Sequence, residues 1–229
     1  ETHFCQFEQV YFSRGDSILG EERVMVQQER LGRTLAQECP APSYADIVMG
    51  VPDSGVPAAY GYAMESGIQY DQRGLQRLHG VGRTFLEPVH DLRVQGVDFK
   101  LSIIPEFLSG KVIVVVDDSI VRGNVTPRVV YLLKNAGARE VHMRISSPPI
   151  RFGCIYGIDT FRIENELTAR GIGTVEEIQQ KINTLIRERY NAPYELDSLG
   201  YLSLEGMKST WRGKEGLCDA CWTGIYPVK

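Results

Sequence analysis

The chain has 229 residues, 43% of them hydrophobic and 24% charged, and a formal net charge of −4. That length buries a full core within one domain, and the acidic balance argues against a general nucleic-acid binder, which needs a basic surface. No apolar run approaches the length of a membrane span and nothing at the N-terminus resembles a signal peptide, so a cytoplasmic protein with neither nucleic-acid nor membrane partner is expected.

The opening at Glu1 rather than Met reads as a piece of a longer protein or a processed chain. Helical and strand patterns alternate along the sequence, the signature of an α/β domain with a mostly parallel sheet. Residues 46–51, Asp46-Ile47-Val48-Met49-Gly50-Val51, read as a strand; Pro52-Asp53-Ser54-Gly55 reads as a tight loop, and 57–66 as a helix closed by Gly67. From 73 to 105 the patterns weaken around Gly74, Gly80, Gly82 and Gly96, and the segment reads as a long mobile excursion followed by short irregular pieces. The clearest strand is 112–116, a continuous β-branched run of the kind that is covered on both faces. A helix over 127–136 follows, with Thr126 as its N-cap, Pro127 at its first position and Gly137 at its end. A strand over 140–145, an amphipathic helix over 174–190 and a short strand over 199–202 complete the pattern.

The strongest local signal runs from Val115 to Asn124. Asp117 and Asp118 leave the end of a buried strand together, where two carboxylates can accept hydrogen bonds from vicinal ribose hydroxyls or hold magnesium through oxygen ligands. The loop that follows carries Ser119, Ile120, Val121, Arg122, Gly123, Asn124 and Thr126 into a helix N-terminus. Its successive N–H groups and the helix dipole suit a 5-phosphate, and Gly123 lets the backbone come close to it. Two aspartates at a strand end can also merely cap a loop, but the buried run before them and the helix start after them favour a ligand. Asp53 and Ser54 are equally compatible with a helix cap and with a site for pyrophosphate and its metal. His79 and His90, lone histidines on the weakly patterned segment, read as solvent-facing.

Five cysteines are present: Cys5, Cys39, Cys154, Cys218 and Cys221. A disulfide framework does not suit a cytosolic protein of this size, which leaves buried thiols or a metal site. Cys218-Asp219-Ala220-Cys221 has metal-type spacing, compatible with zinc or a [4Fe–4S] cluster.

Ordered matches along almost the whole chain resemble the glutamine phosphoribosylpyrophosphate amidotransferases (amidophosphoribosyltransferases). They include Tyr11-Phe12-Ser13-Arg14 with Asp16-Ser17, Gly50-Val51-Pro52-Asp53-Ser54, Val81-Gly82-Arg83-Thr84-Phe85, and Val116 to Gly123. Further matches are Ser146-Ser147-Pro148-Pro149, Tyr156-Gly157-Ile158-Asp159, Leu202-Ser203-Leu204-Glu205-Gly206 and Cys218-Asp219-Ala220-Cys221. The resemblance implies a type I phosphoribosyltransferase fold: a parallel sheet flanked by helices, with a small hood and a flexible loop over the site. It implies a domain over 1–229, with 174–229 as a helical, cysteine-containing extension packed on it.

The implied reaction makes 5-phosphoribosylamine and pyrophosphate from phosphoribosyl pyrophosphate and ammonia, the family's N-terminal glutaminase domain being absent here. By the same resemblance Asp117 and Asp118 hold the ribose, residues 119–126 the 5-phosphate, and Ser54 with the two aspartates the Mg2+, while Arg77 and Arg83 close over the pyrophosphate. Cys5, Cys154, Cys218 and Cys221 become the ligands of a structural [4Fe–4S] cluster, and Cys39 an ordinary thiol. A homo-oligomer and inhibitory purine nucleotides are the further partners implied. This chain has Arg77-Leu78-His79-Gly80 where the family typically has Lys-Asn-Arg-Tyr, and Val125 where it has a hydroxyl. Those differences leave open a second reading, a non-catalytic module that binds phosphoribosyl pyrophosphate or purine nucleotides and regulates a partner.

Overall fold

In the computed structural model, residues 3–77, 101–158, 160, 162–213 and 216–228 are described. In chain order, β1 (His3–Cys5) leads into a turn of π-helix at Glu8–Phe12, a small hairpin of β2 (Ile18–Leu19) and β3 (Glu22–Arg23), and helix α1 (Val24–Glu38). Next come β4 (Ile47–Gly50), α2 (Val56–Ser66), β5 (Leu75–Arg77) and β6 (Leu101–Ile103). They are followed by β7 (Val112–Asp117), α3 (Val125–Asn135), β8 (Glu140–Ile145), α4 (Val175–Tyr190) and β9 (Ser198–Tyr201). The last elements are α5 (Leu204–Ser209), β10 (Gly216–Cys218) and α6 (Ala220–Thr223).

The central sheet is parallel, in the order β4-β7-β8-β9. Alternation along β7 explains its unbroken apolar run. Ile113 and Val115 point into a core with Val129, Leu133, Ile178 and Ile182 of α3 and α4, whereas Val114 and Val116 point into a core with Leu31, Leu35, Ala59 and Tyr62 of α1 and α2. Side chains on a strand alternate faces, so a strand with helices on both sides must be apolar throughout. The α1–α2 layer owes its closeness to two glycines. A Cβ on Gly32 would lie 1.8 Å from the Ala58 carbonyl oxygen, and one on Gly61 would lie 1.9 Å from that of Glu29.

The elements read from the sequence fall within a residue or two of those observed, the ordinary scatter of element ends. Thr174 caps α4 through a reciprocal pair with Glu177, and Asn191 closes it in the left-handed region at φ 47°. The start of α3 is a correction. The helix begins at Val125 with Asn124 at the cap position and no side-chain cap bond, so Thr126 is a buried first-turn residue and not the N-cap. Asn124 already has helical φ and ψ (−89°, −41°), and Pro127 is tolerated inside the first turn because N–H groups there have no intrahelical acceptor. The segment read as an excursion begins and ends in an antiparallel pair, β5 with β6; residues 78–100 lie outside the described residues.

Residues 3–5 and residues 216–218, far apart in sequence, meet. β1 and β10 pair in parallel, with Cys5 opposite Cys218.

Candidate active site

Strands β4 and β7 are neighbours, with Gly50 opposite Val116, so the loops that leave their carboxyl ends stand side by side. In an open parallel sheet that edge is where ligands bind. The first loop is residues 51–55, with a cis peptide between Pro52 and Asp53. The second is residues 118–124, which feeds α3.

Asp117 and Asp118 are only 5% and 4% exposed. The chain fixes them from several sides. The Asp118 N–H donates to Asp117 Oδ1 (3.0 Å), the Ser146 N–H to the Asp117 carbonyl (2.9 Å), and Ser147 Oγ to the Asp118 carbonyl (2.8 Å). Ser119 Oγ donates to Asp118 Oδ1 at 2.5 Å, and the Ser54 hydroxyl reaches the same carboxylate from the neighbouring loop. Among the described residues neither carboxylate is paired with a basic side chain. Burial, then the charge of Asp118, pushes the Asp117 carboxyl well above the usual range. Burial likewise pushes Asp118 up to about 6, against the hydroxyls of Ser119 and Ser54 that hold it down. Two buried carboxylates without a counter-charge are costly, and the arrangement favours whatever brings a cation or hydroxyl donors to them.

A cleft of about 240 Å³ opens over this pair. Ser119, Ile120, Val121, Arg122, Gly123, Asn124, Val125 and Thr126 line it in succession, with Ser54, Pro52 and Val51 on the other side. Among the described residues, none of the N–H groups from Ser119 to Asn124 donates to another part of the chain. Gly123 sits at φ +64°, a conformation that side chains disfavour. The result is a row of unspent donors at the start of a helix, beside two carboxylates. Such a place can hold the phosphate of a ligand whose hydroxyls or metal meet the acids.

Asp53 does not share this cleft. It lines the adjacent recess, where its Oδ2 accepts from Arg77 Nη1 at 2.7 Å, and Gln72, Arg73 and Gln76 stand nearby. The structure thus gathers Ser54, Asp117, Asp118 and residues 119–126 into one cleft and sets Asp53 and Arg77 beside it. Arg83, His79 and His90 lie outside the described residues. Tyr11 and Leu101 are among the cleft residues to which the sequence reading gives no role. Burial first, then the charges of Asp118 and Asp117, raise the Tyr11 hydroxyl. The Tyr11-Phe12-Ser13-Arg14 match was the available signal for Tyr11; Leu101 had none.

All five cysteines are free thiols. Cys221 is pushed up to about 12 by burial and then by the charges of Cys154, Cys5 and Cys218, so these thiols lie within electrostatic reach of one another. Burial also leads the rise at Cys5 and Cys218. Among the described residues no three Cys, His, Asp or Glu side chains are already arranged around a metal-sized centre. A coupled set of unbridged thiols nevertheless has the donor chemistry of a soft-metal site. Cys39 stands apart, its thiol donating to the Tyr201 carbonyl at 3.2 Å.

No family model matches the chain. Curated relatives do. The amidophosphoribosyltransferase of Synechocystis is 46% identical over 229 residues, covering 100% of this chain and 43% of that protein. That of Archaeoglobus fulgidus is 46% identical over 227 residues (98% and 46%), and that of Mycobacterium tuberculosis is 43% identical over 226 (98% and 41%). Among solved structures, one of the allosteric regulatory enzyme of purine biosynthesis superposes with a TM-score of 0.82 at 45% identity, over 99% of this chain and 46% of that one. The glutamine phosphoribosylpyrophosphate amidotransferase of B. subtilis, complexed with ADP and GMP, gives 0.81 at 44% identity, over 99% and 47%. The chain therefore has the type I phosphoribosyltransferase fold and is related from end to end to the amidophosphoribosyltransferases, of whose length it spans a little under half.

Proposed function

We propose that this chain is the phosphoribosyl-transfer domain of an amidophosphoribosyltransferase of de novo purine synthesis. It takes phosphoribosyl pyrophosphate and ammonia to 5-phosphoribosylamine and pyrophosphate. The observation that carries the reading is the buried Asp117–Asp118 pair, without a basic partner among the described residues, opening onto the unspent N–H groups of the loop from Ser119 to Asn124.

Each part of the substrate has a counterpart. The 5-phosphate is held by residues 119–126, and the ribose hydroxyls by Asp117 and Asp118. The donor set of Ser54 and the two carboxylates fits Mg2+, which is content with few protein oxygens and several from water and phosphate. When bound, magnesium neutralises negative charge that develops on the leaving pyrophosphate. As the bond from ribose C1 to the pyrophosphate oxygen breaks, the oxygen keeps the electron pair and the ammonia nitrogen bonds to C1; the product then loses a proton to solvent. Ammonia is itself the nucleophile, so the chain needs no base to activate it; its residues position the ribose and keep water out. Arg77 lies beside the cleft and would meet the pyrophosphate; Arg83 has the same role on the resemblance alone.

A structural [4Fe–4S] cluster on Cys5, Cys154, Cys218 and Cys221 is supported by their mutual electrostatic coupling and by the pairing of β1 with β10. Residues 1–229 would act as one phosphoribosyltransferase domain, with 174–229 as its cysteine-bearing extension. The relatives extend well beyond the shared stretch, and we assign the glutaminase that supplies their ammonia to that remainder, while residues 1–229 carry the ammonia-dependent step. The nucleotides in the B. subtilis structure support purine-nucleotide inhibition. A homo-oligomer in the cytoplasm is the expected setting, and no helix of the described residues is long and apolar enough to cross a membrane.

Pyrophosphate release from phosphoribosyl pyrophosphate with magnesium, with and without ammonia, tests the reading. Release that needs ammonia and disappears in Asp117→Ala is the expected result. Tight binding without release, lost in Asp117→Ala, would replace the enzyme with the regulatory module.

A further inference from the structure

Behind the anion loop lies a wall that the proposed reaction does not use. It consists of residues 164–173 and the far end of α4, and neither Thr168 nor Arg189 lines the cleft. The Thr168 N–H donates to the Val121 carbonyl at 2.8 Å. Arg189 Nη1 donates to the Gly123 carbonyl at 3.4 Å. Lys181 Nζ fastens the wall to α4 through the Thr168 carbonyl at 3.1 Å.

A trans peptide aims its C=O and its N–H in opposite directions. Drawing the Val121 and Gly123 carbonyls back to the wall therefore turns the N–H groups of Arg122 and Asn124 toward the cleft that both residues line. The Arg122 carbonyl, between those two, has no backbone donor among the described residues. Beside it, a Cβ on Gly123 would stand 2.9 Å from Thr168 Oγ1, so that hydroxyl presses directly on the loop. Thr168 is 1% exposed, and among the described residues its hydroxyl has no hydrogen-bond partner. Buried hydroxyls rarely stay unpaired, and an acceptor delivered by the loop would complete this one.

We infer that Thr168 and Arg189 are positioning residues that hold the anion loop from behind and aim its amide N–H groups at the 5-phosphate of a phosphoribosyl ligand. The Thr168 hydroxyl takes the Arg122 carbonyl when the Gly123 N–H also turns to the anion. This inference rests on the phosphoribosyl reading of the cleft.

Calorimetric titration with ribose 5-phosphate and, separately, with magnesium pyrophosphate tests it on the wild type, Arg189→Met, Thr168→Val and Thr168→Ser. In Arg189→Met and Thr168→Val, ribose 5-phosphate should bind about five- to tenfold more weakly, the loss of roughly one hydrogen bond. Thr168→Ser should stay within about twofold of wild type, since the hydroxyl is kept. Magnesium pyrophosphate, which lacks the 5-phosphate, should be unaffected, and Tm unchanged. The Arg189 effect should persist at roughly 0.5 M salt, where attraction by a distant charge is screened. Equal losses for both ligands, a loss that vanishes in salt, or no loss would overturn the positioning role. A wild type that binds no ribose 5-phosphate would overturn the phosphoribosyl reading and this inference with it.

Discussion

Asp53 holds Arg77 at 2.7 Å across the mouth of the recess beside the cleft, linking the loop after β4 to the end of β5. Both side chains are substantially exposed, 57% and 40%, and an ion pair in that setting contributes at most about 1 kcal/mol. The pair thus matters more for what Arg77 can meet than for stability. Asp53→Asn should move Tm very little. It should tighten binding of metal-free pyrophosphate by about two- to fivefold, as a competing carboxylate beside the anion is removed. Weaker binding in the titration would mean that Asp53 itself engages the ligand or its metal.

The buried acid pair makes stability depend on pH in an unusual direction. The pKa of Asp118, raised to about 6 by burial, lies above the ordinary aspartate value of 3.8, so its contribution is intact below the latter and is lost as pH rises through the former. The loss amounts to roughly 3 kcal/mol for a fully buried group. Asp117 adds to it in the same sense. The unliganded protein should therefore melt higher at pH 5 than at pH 8, and Asp118→Asn should flatten that slope while reducing pyrophosphate release at least about a hundredfold. Magnesium with phosphoribosyl pyrophosphate should raise Tm more at pH 8 than at pH 5, because at the lower pH the cation must displace protons. A flat melting profile in the wild type would remove the basis for this expectation.

Close approach of α1 and α2 depends on Gly32. A methyl group there would overlap the Ala58 carbonyl oxygen at 1.8 Å, and backbone cannot yield as a side chain does. Gly32→Ala should cost about 3 kcal/mol or more, roughly 6–12 °C in Tm. At Gly173 a Cβ meets only Glu177 Oε2, at 3.5 Å, and Gly173→Ala should stay within about 0.5 kcal/mol. Thermal melts of the two variants side by side provide the comparison.

Iron and acid-labile sulfide can be assayed after anaerobic purification. About four irons per chain are expected in the wild type. Cys221→Ser should lose them and Cys39→Ser should keep them, since Cys39 is engaged with Tyr201 and not with the other thiols. Zinc in place of iron would overturn the cluster.

The anion loop was legible in the sequence because its parts are contiguous: a buried run, two acids, a glycine and a helix start follow one another within a dozen or so positions. Tyr11 was not, because only tertiary folding carries its π-helical turn over residues more than a hundred positions away. Helix α1 escaped the periodicity for a different reason. Its buried face includes Gln27, Gln28 and Gly32 among Val24, Leu31 and Leu35. Two of these are polar: Gln27 Nε2 donates to the Leu19 and Glu22 carbonyls, and Gln28 Nε2 to those of Gln9 and Val10. Polar side chains spent on neighbouring backbone look like surface residues in a pattern count. The direction of Asp53 was likewise unreadable, since its loop offers a cap, a metal ligand and an ion-pair partner with equal ease.

The parallel pairing of residues 3–5 with residues 216–218 also sets a timetable for synthesis. At about 5–20 residues per second, the first of these strands waits on the order of ten to forty seconds for its partner to leave the ribosome. The central sheet can condense in the meantime, but the turn that carries Tyr11 begins immediately after the waiting strand. Until that partner emerges, the Tyr11 turn would be held through the bonds from Gln28 of α1 to its Gln9 and Val10 carbonyls, and the cleft wall would be completed only with the last strand.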